Sequence, residues 1–151
     1  MREALKEAHQ AQGKDEVPVG AVIVSGNRVI ARAHNLTETL TDVTAHAEMQ
    51  AITAAAAYLG GKYLKDCTLY VTLEPCLMCA GALYWAQITR IVYGATDTKR
   101  GFSLNPASPL HPATTVTSGV LETECAALLT DYFKKKRNIV TNNQKNIYLC
   151  R

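Results

Sequence analysis

The chain contains no apolar run approaching the about 18 residues that cross a bilayer, so no membrane-spanning helix is expected. Its start, Met1-Arg2-Glu3-Ala4-Leu5-Lys6-Glu7, is charged and amphipathic and lacks the apolar stretch of a secretory signal. A disulfide framework is equally poorly served, because five cysteines is an odd number and two of them, Cys76 and Cys79, stand close together. That usage fits a reduced compartment, the cytoplasm. No internal repeat or low-complexity tract occurs, which removes repeat architectures.

What remains is an ordinary globular composition, 48% hydrophobic and 19% charged over 151 residues, long enough for one domain to bury most of its surface. The net charge of +3 is unevenly placed: from Asp131 onward six lysines and arginines face one aspartate, whereas the rest of the chain is slightly acidic. Basic charge gathered at one end suggests a polyanion partner, although Lys134-Lys135-Lys136-Arg137 also suits a solvated helix end complementing its dipole.

Residues 1 to 12 are expected to form a helix with Leu5, Ala8 and His9 on one face and Gly13 beyond its end. Val17 to Val24, the turn Ser25-Gly26-Asn27 and the alternating Arg28 to His34 predict an antiparallel hairpin, with the buried face of its second strand undecided. Asn35 follows at the strand end, and Leu36 to Val43 is a polar connector, suited to a lid or rim. Ala45 to Leu59 is an alanine-dense helix stopped by Gly60-Gly61. Cys67 to Leu73 and Arg90 to Ala95 are strands, and the helix between them, from Pro75 to about Gln87, implies a parallel crossover and a three-layer fold. Thr96 to Pro112, broken by three prolines, is too long for a simple connector. A strand from Thr114 to Val120, a helix from Leu121 to Arg137 and a loose polar tail, 138–151, complete the chain.

Chemistry concentrates where the strand ending at Leu73 meets Glu74-Pro75-Cys76-Leu77-Met78-Cys79. Proline suits a first helical position, which would put both sulfurs on one face of the first turn, where the dipole favours thiolates. Upstream, Thr44-Ala45-His46-Ala47-Glu48 offers an imidazole and a carboxylate. One nitrogen with two sulfurs best suits zinc, and three protein ligands leave a position for water. Two thiolates cancel the cation's charge, so water is acidified less than in an all-histidine site, where its pKa reaches about 7, and Glu48 is the nearest group to take the proton. A closed site with Cys67 or Cys125 as fourth ligand, or plain buried cysteines, stay open as alternatives. Positions i and i+2 of a regular helix lie about 200° apart, so His46 and Glu48 can share a metal only if it lies off the helix's first turn.

His46-Ala47-Glu48 with Pro75-Cys76-Leu77-Met78-Cys79 resembles the zinc-dependent nucleobase deaminases, whose signature this spacing is. The likeness extends to Glu16-Val17-Pro18-Val19-Gly20-Ala21-Val22, Asn35, Cys79-Ala80-Gly81-Ala82 and Glu124-Cys125-Ala126-Ala127-Leu128-Leu129, covers residues 4 to 137, and is strongest toward bacterial tRNA adenosine deaminases of the TadA type. The resemblance implies an α/β, three-layer α/β/α cytidine-deaminase-like fold with a five-stranded mixed sheet, a deaminase domain over 1–137, and a tail, 138–151, of its own role. It implies one Zn2+ per subunit on His46, Cys76 and Cys79, catalysis by Glu48, and backbone assistance from Pro75 and Cys76. Asn35 would bond the substrate nucleoside, Asp97 would meet the nucleotide beside the target base, and Lys99, Arg100 and the Lys134–Arg137 cluster would hold phosphates. The activity implied is conversion of adenosine to inosine at the wobble position of a tRNA anticodon stem-loop, by a homodimer. The family's pattern varies at Leu36 and Thr37, and a basic residue sometimes stands where Thr37 is. Rival readings are a free guanine or cytosine deaminase on the same scaffold, an RNA-binding module with structural zinc, and an editor of single-stranded DNA.

Overall fold

A computed structural model gives the fold of residues 1–149, with side-chain surroundings described to Asn138. Five strands, β1 (Gly20–Ser25), β2 (Arg28–His34), β3 (Cys67–Leu73), β4 (Arg90–Ala95) and β5 (Thr115–Thr117), form one sheet in the order β2-β1-β3-β4-β5. The helices are α1 (Arg2–Gly13), α2 (Ala47–Leu59), α3 (Leu77–Ala86) and α4 (Glu122–Leu149). β1 is antiparallel to β2 and β3, and β3-β4 and β4-β5 are parallel, so the sheet is mixed. Gly26 and Asn27 both take positive φ, 50° and 63°, the geometry of a two-residue hairpin turn whose twist matches its strands.

Alternation along the strands separates the two helical layers. Ala21 and Ile23 of β1, Ala31 and Ala33 of β2, and Leu69 and Val71 of β3 join Ala47, Ala51 and Ala55 of α2 and Ala80 and Leu83 of α3 in one core. This decides the open question about β2: its alanines face inward. On the opposite face α1 lies so near the sheet that a Cβ on Gly20 would stand 2.1 Å from the Ala4 carbonyl oxygen and 2.3 Å from the Ala8 nitrogen. Gly94 does the same for α4, where a Cβ would meet Cys125 Sγ at 2.4 Å. Burying those layers is the main stabilising term, at about 25 cal/mol per Å² of apolar surface removed from water.

Several boundaries differ from expectation, each for a local reason. α1 buries Ala4, Glu7, Ala8 and Ala11, not Leu5 and His9, because close approach to β1 selects small side chains. β1 begins at Gly20 because Pro18 has no N–H and the Val19 N–H turns back to the Val17 carbonyl. β5 spans only Thr115–Thr117 before Gly119, at φ 77°, ends the extended run. α4 does not stop at Arg137 but continues as helix to Leu149, a 28-residue stretch free of proline and glycine. The loose tail expected over 138–151 is therefore helical as far as Leu149, and Cys150 and Arg151 lie outside the described residues. Among the described residues no helix is long and apolar enough to cross a membrane.

The topology brings the segments of interest to one edge. The carboxyl ends of β3 and β4 lead into Glu74 and Thr96, and β2 delivers Asn35 at the same edge, because the antiparallel β1 pairs its first residue with His34. Crevices at the carboxyl ends of parallel strands are where α/β sheets bind ligands.

Candidate metal and substrate site

Two helices begin at this edge, and each is preceded by a candidate metal ligand. His46 is the residue before α2, extended at φ −68° and ψ 155°, and its carbonyl accepts the Gln50 N–H at 3.1 Å. Cys76 stands in the same place before α3, at φ −73° and ψ 171°, with its carbonyl accepting the Ala80 N–H at 2.8 Å. The α3 helix thus starts at Leu77, two residues later than proline statistics suggest, and Pro75 lies outside it. Cys79, in its first turn, still brings its sulfur beside that of Cys76, and both helix ends point positive dipoles at the space between them.

His46 Nδ1 lies 3.7 Å from Cys76 Sγ and 3.5 Å from Cys79 Sγ, and all three ligand atoms fall within 4.8 Å of one another. Two atoms held tetrahedrally at ordinary Zn–N and Zn–S lengths stand about 3.6 Å apart, so the donor set fits zinc in both chemistry and spacing. Cys67 is buried at the far end of β3 and Cys125 is buried under α4 against Gly94; neither joins the cluster. Protonation fits the same reading. A hydrogen bond from the Cys79 thiol, followed by one from His46, pulls Cys76 down to about 4 against the effect of burial. Cys79 moves the opposite way because it carries the proton Cys76 has shed, and the bond to Cys76 raises His46. A divalent cation bound by these three groups would displace such protons and release them on binding.

Glu48 sits in the first turn of α2 and is 4% exposed. Because His46 precedes the helix, the angular separation expected of i and i+2 positions does not apply, and the Glu48 carboxylate reaches hydrogen-bond range of the Cys79 sulfur. Burial lifts its carboxyl to about 7, the range in which a group can both take and give a proton near neutrality.

Two loops flank this centre, each anchored on a buried glutamate that sequence reasoning did not single out as functional. Glu16 is fully buried and accepts from Thr39 N at 2.7 Å, Glu38 N at 3.2 Å, Thr37 Oγ1 at 3.3 Å and Asn35 Nδ2 at 3.0 Å. Burial pushes the Glu16 carboxyl up, but these donors outweigh it and hold it below the usual carboxylate value. Asn35 is itself buried, its amide shared between Glu16 and Thr37, and the next residue, Leu36, donates to the Ala45 carbonyl beside His46. On the other side Glu74 accepts from Asp97 N at 3.0 Å and Ser103 N at 2.9 Å. Asp97 spends Oδ1 on the N–H groups of Lys99 and Arg100, so its side chain caps its own loop.

Lys99 and Arg100 line a cavity of about 390 Å³ with Cys76, Leu77, Met78 and Leu104, beside the metal cluster. The Lys134–Arg137 cluster lies elsewhere on α4: Lys136 pairs with Asp15 at 2.6 Å and covers the Tyr132 ring. Backbone assistance from Pro75 is corrected, since proline has no N–H and its carbonyl is taken by Phe102 N at 3.0 Å; of that pair Cys76 alone has an N–H to offer. Trp85, on the outer face of α3, is 77% exposed and meets Tyr84 edge to face.

Comparison with known proteins agrees with this geometry. Residues 1–95 match the cytidine and deoxycytidylate deaminase zinc-binding region. The tRNA-specific adenosine deaminase of Bacillus subtilis is 45% identical over 97% of this chain and 94% of its own length. A solved structure from a study of A-to-I editing by tRNA:A34 deaminases at the wobble position superposes with a TM-score of 0.79, at 48% identity over 85% of this chain and 97% of that one. The guanine deaminase of Nitrosomonas europaea is more distant in sequence, 26% identical over 85% of this chain and 80% of that one, at a TM-score of 0.72.

Proposed function

The chain belongs to the zinc-binding family of cytidine and deoxycytidylate deaminases, and from that premise we propose that it is a hydrolase converting adenosine to inosine at the wobble position of a tRNA anticodon loop. The observation that carries the chemistry is the buried carboxylate of Glu48 set against an imidazole and two sulfurs spaced for one tetrahedral cation. Zinc, one ion per subunit, would be held by His46, Cys76 and Cys79 and supplies Lewis acidity that makes water nucleophilic at neutral pH.

The remaining work falls to protein side chains. Glu48 takes one proton of the attacking water as its oxygen bonds to C6 of adenine and delivers it to the ring nitrogen; it then takes the second proton from the oxygen now on C6 and passes it to the amine, which leaves as ammonia as the C6–N bond breaks and the C6 carbonyl forms. The Cys76 N–H steadies negative charge developing at the reacting carbon's substituents. Asn35, fixed by Glu16, orients the nucleoside, while Asp97 and Lys99, with Arg100, receive the neighbouring nucleotide and its phosphates. The target base must leave its stack, a cost of a few kcal/mol that an already open loop reduces.

The same reading places the deaminase unit in residues 1–137, gives 138–151 a separate role, and pairs two chains through the exposed Trp85, Tyr84 and Leu77 face of α3. It also places the protein in the cytoplasm, a reduced compartment consistent with the unpaired state of Cys67, Cys76, Cys79 and Cys125. The test is incubation with an adenine-bearing anticodon hairpin, reading inosine by mass. Strongly salt-dependent turnover is expected. Turnover of free guanine or cytosine with an unedited hairpin would replace this substrate with a free base.

A further inference from the structure

Glu74 is 2% exposed, and beyond anchoring its loop it takes no part in the chemistry described above. Its backbone N–H bonds the Ala95 carbonyl at 2.8 Å, extending the β3-β4 pairing by one rung, while its side chain leaves the sheet to meet two N–H groups of another loop. Burying a carboxylate is costly unless its oxygens are well met, so a side chain that only filled space here would more cheaply be apolar. The loop closes tightly over it: a Cβ on Gly101 would lie 2.4 Å from Glu74 Cδ and Oε2 and 2.6 Å from the Asp97 carbonyl oxygen. Gly101 also pairs with Cys76 as an antiparallel bridge. One carboxylate therefore joins the residue beside a metal ligand to the turn that carries Lys99 and Arg100, through Asp97 N on one oxygen and Ser103 N on the other.

We propose that Glu74 is a positioning residue that fixes the 97–103 loop at the metal edge, and so sets how tightly the cavity lined by Lys99 and Arg100 holds an RNA loop, without touching the substrate. This rests on the deaminase reading above. Glu74→Gln preserves shape but turns an amide N–H toward a backbone N–H, so one of the two bonds is lost. The Michaelis constant for the anticodon hairpin should rise about tenfold while kcat falls less than about threefold, with zinc content kept at the wild-type level. Hydrogen exchange at whichever of the Asp97 and Ser103 amides loses its acceptor should quicken by at least about tenfold, a change independent of any substrate.

Gly101→Ala displaces the loop from the same carboxylate without removing it, and should give the same KM-dominated loss. Unchanged exchange at both amides, or losses of kcat and zinc content with KM unmoved, overturns the proposal. If the wild-type protein leaves the hairpin unedited, the deaminase reading fails, and exchange alone then decides whether Glu74 holds the loop.

Discussion

The two loops bordering the metal cluster are built on one device and secured differently. Each is drawn onto a buried glutamate, Glu16 for residues 35–39 and Glu74 for residues 97–103. The first has little else: Glu38 through Thr44 are exposed, and the carboxylate gathers two backbone N–H groups, a hydroxyl and an amide. The second adds apolar anchorage, since Phe102 is buried, meets Tyr93 edge to face at 6.1 Å, and donates its N–H to Pro75. A loop held by one polar knot stands or falls with that knot, whereas a loop also held by packing shifts when its knot loosens.

That contrast can be broken or sharpened by measurement. The largest effect bypasses both loops: Glu48→Gln should lower kcat by about 10³-fold or more with zinc still bound, and a residual rate near wild type would leave the loops bordering nothing catalytic. Next, Glu16→Ala leaves several buried donors unpaired, each costing about 1–3 kcal/mol, and should cut kcat/KM on the hairpin about 100-fold. A loss no greater than that of Glu74→Gln would mean the two loops are secured alike.

Acidity separates the centre from its first border. Glu48 must be unprotonated to accept a proton, so kcat should fall as pH drops below about 7, by more than about tenfold near pH 5.5. Glu16, held below its ordinary 4.5, stays charged there; its contribution to stability is present above the unfolded value and lost only as pH falls through the lower folded one. Hairpin affinity measured by anisotropy should therefore hold across a window in which turnover fails. The smallest effect is Thr37→Val, which removes one hydroxyl from the Glu16 knot and should weaken hairpin binding by about threefold to tenfold.

Much of this was legible from residues alone. β3 and β4 fall where β-branched and apolar runs put them, and His46, Cys76 and Cys79, singled out by ligand chemistry and by the family resemblance, have their donor atoms within 4.8 Å of one another. Helix starts differ from the sequence pattern because a proline invites a first-turn assignment, whereas His46 and Cys76 are both extended. Glu16 and Glu74 escaped notice for a general reason: an acidic residue is ordinarily a surface residue, and burial depends on loops far along the chain. A signal existed in Glu74, which stands between an apolar strand and Pro75-Cys76, where a solvated charge has little room. The α4 extension was hidden by asparagine-rich composition, which local propensity counts against a helix.

Because His46 and Cys76 each occupy the final non-helical residue before a helix, these two ligands take their aim from the loops ahead of them, while Cys79 rides on the first turn of α3. A residue inserted late in α2 or α3 would rotate the far end and leave the donor atoms aimed as before; one inserted between Glu74 and Cys76 would scatter them. Tolerance to changes in chain length is thus sharply lopsided about these two positions, and the scaffold can lengthen or trade its helices while its reactive corner keeps its register.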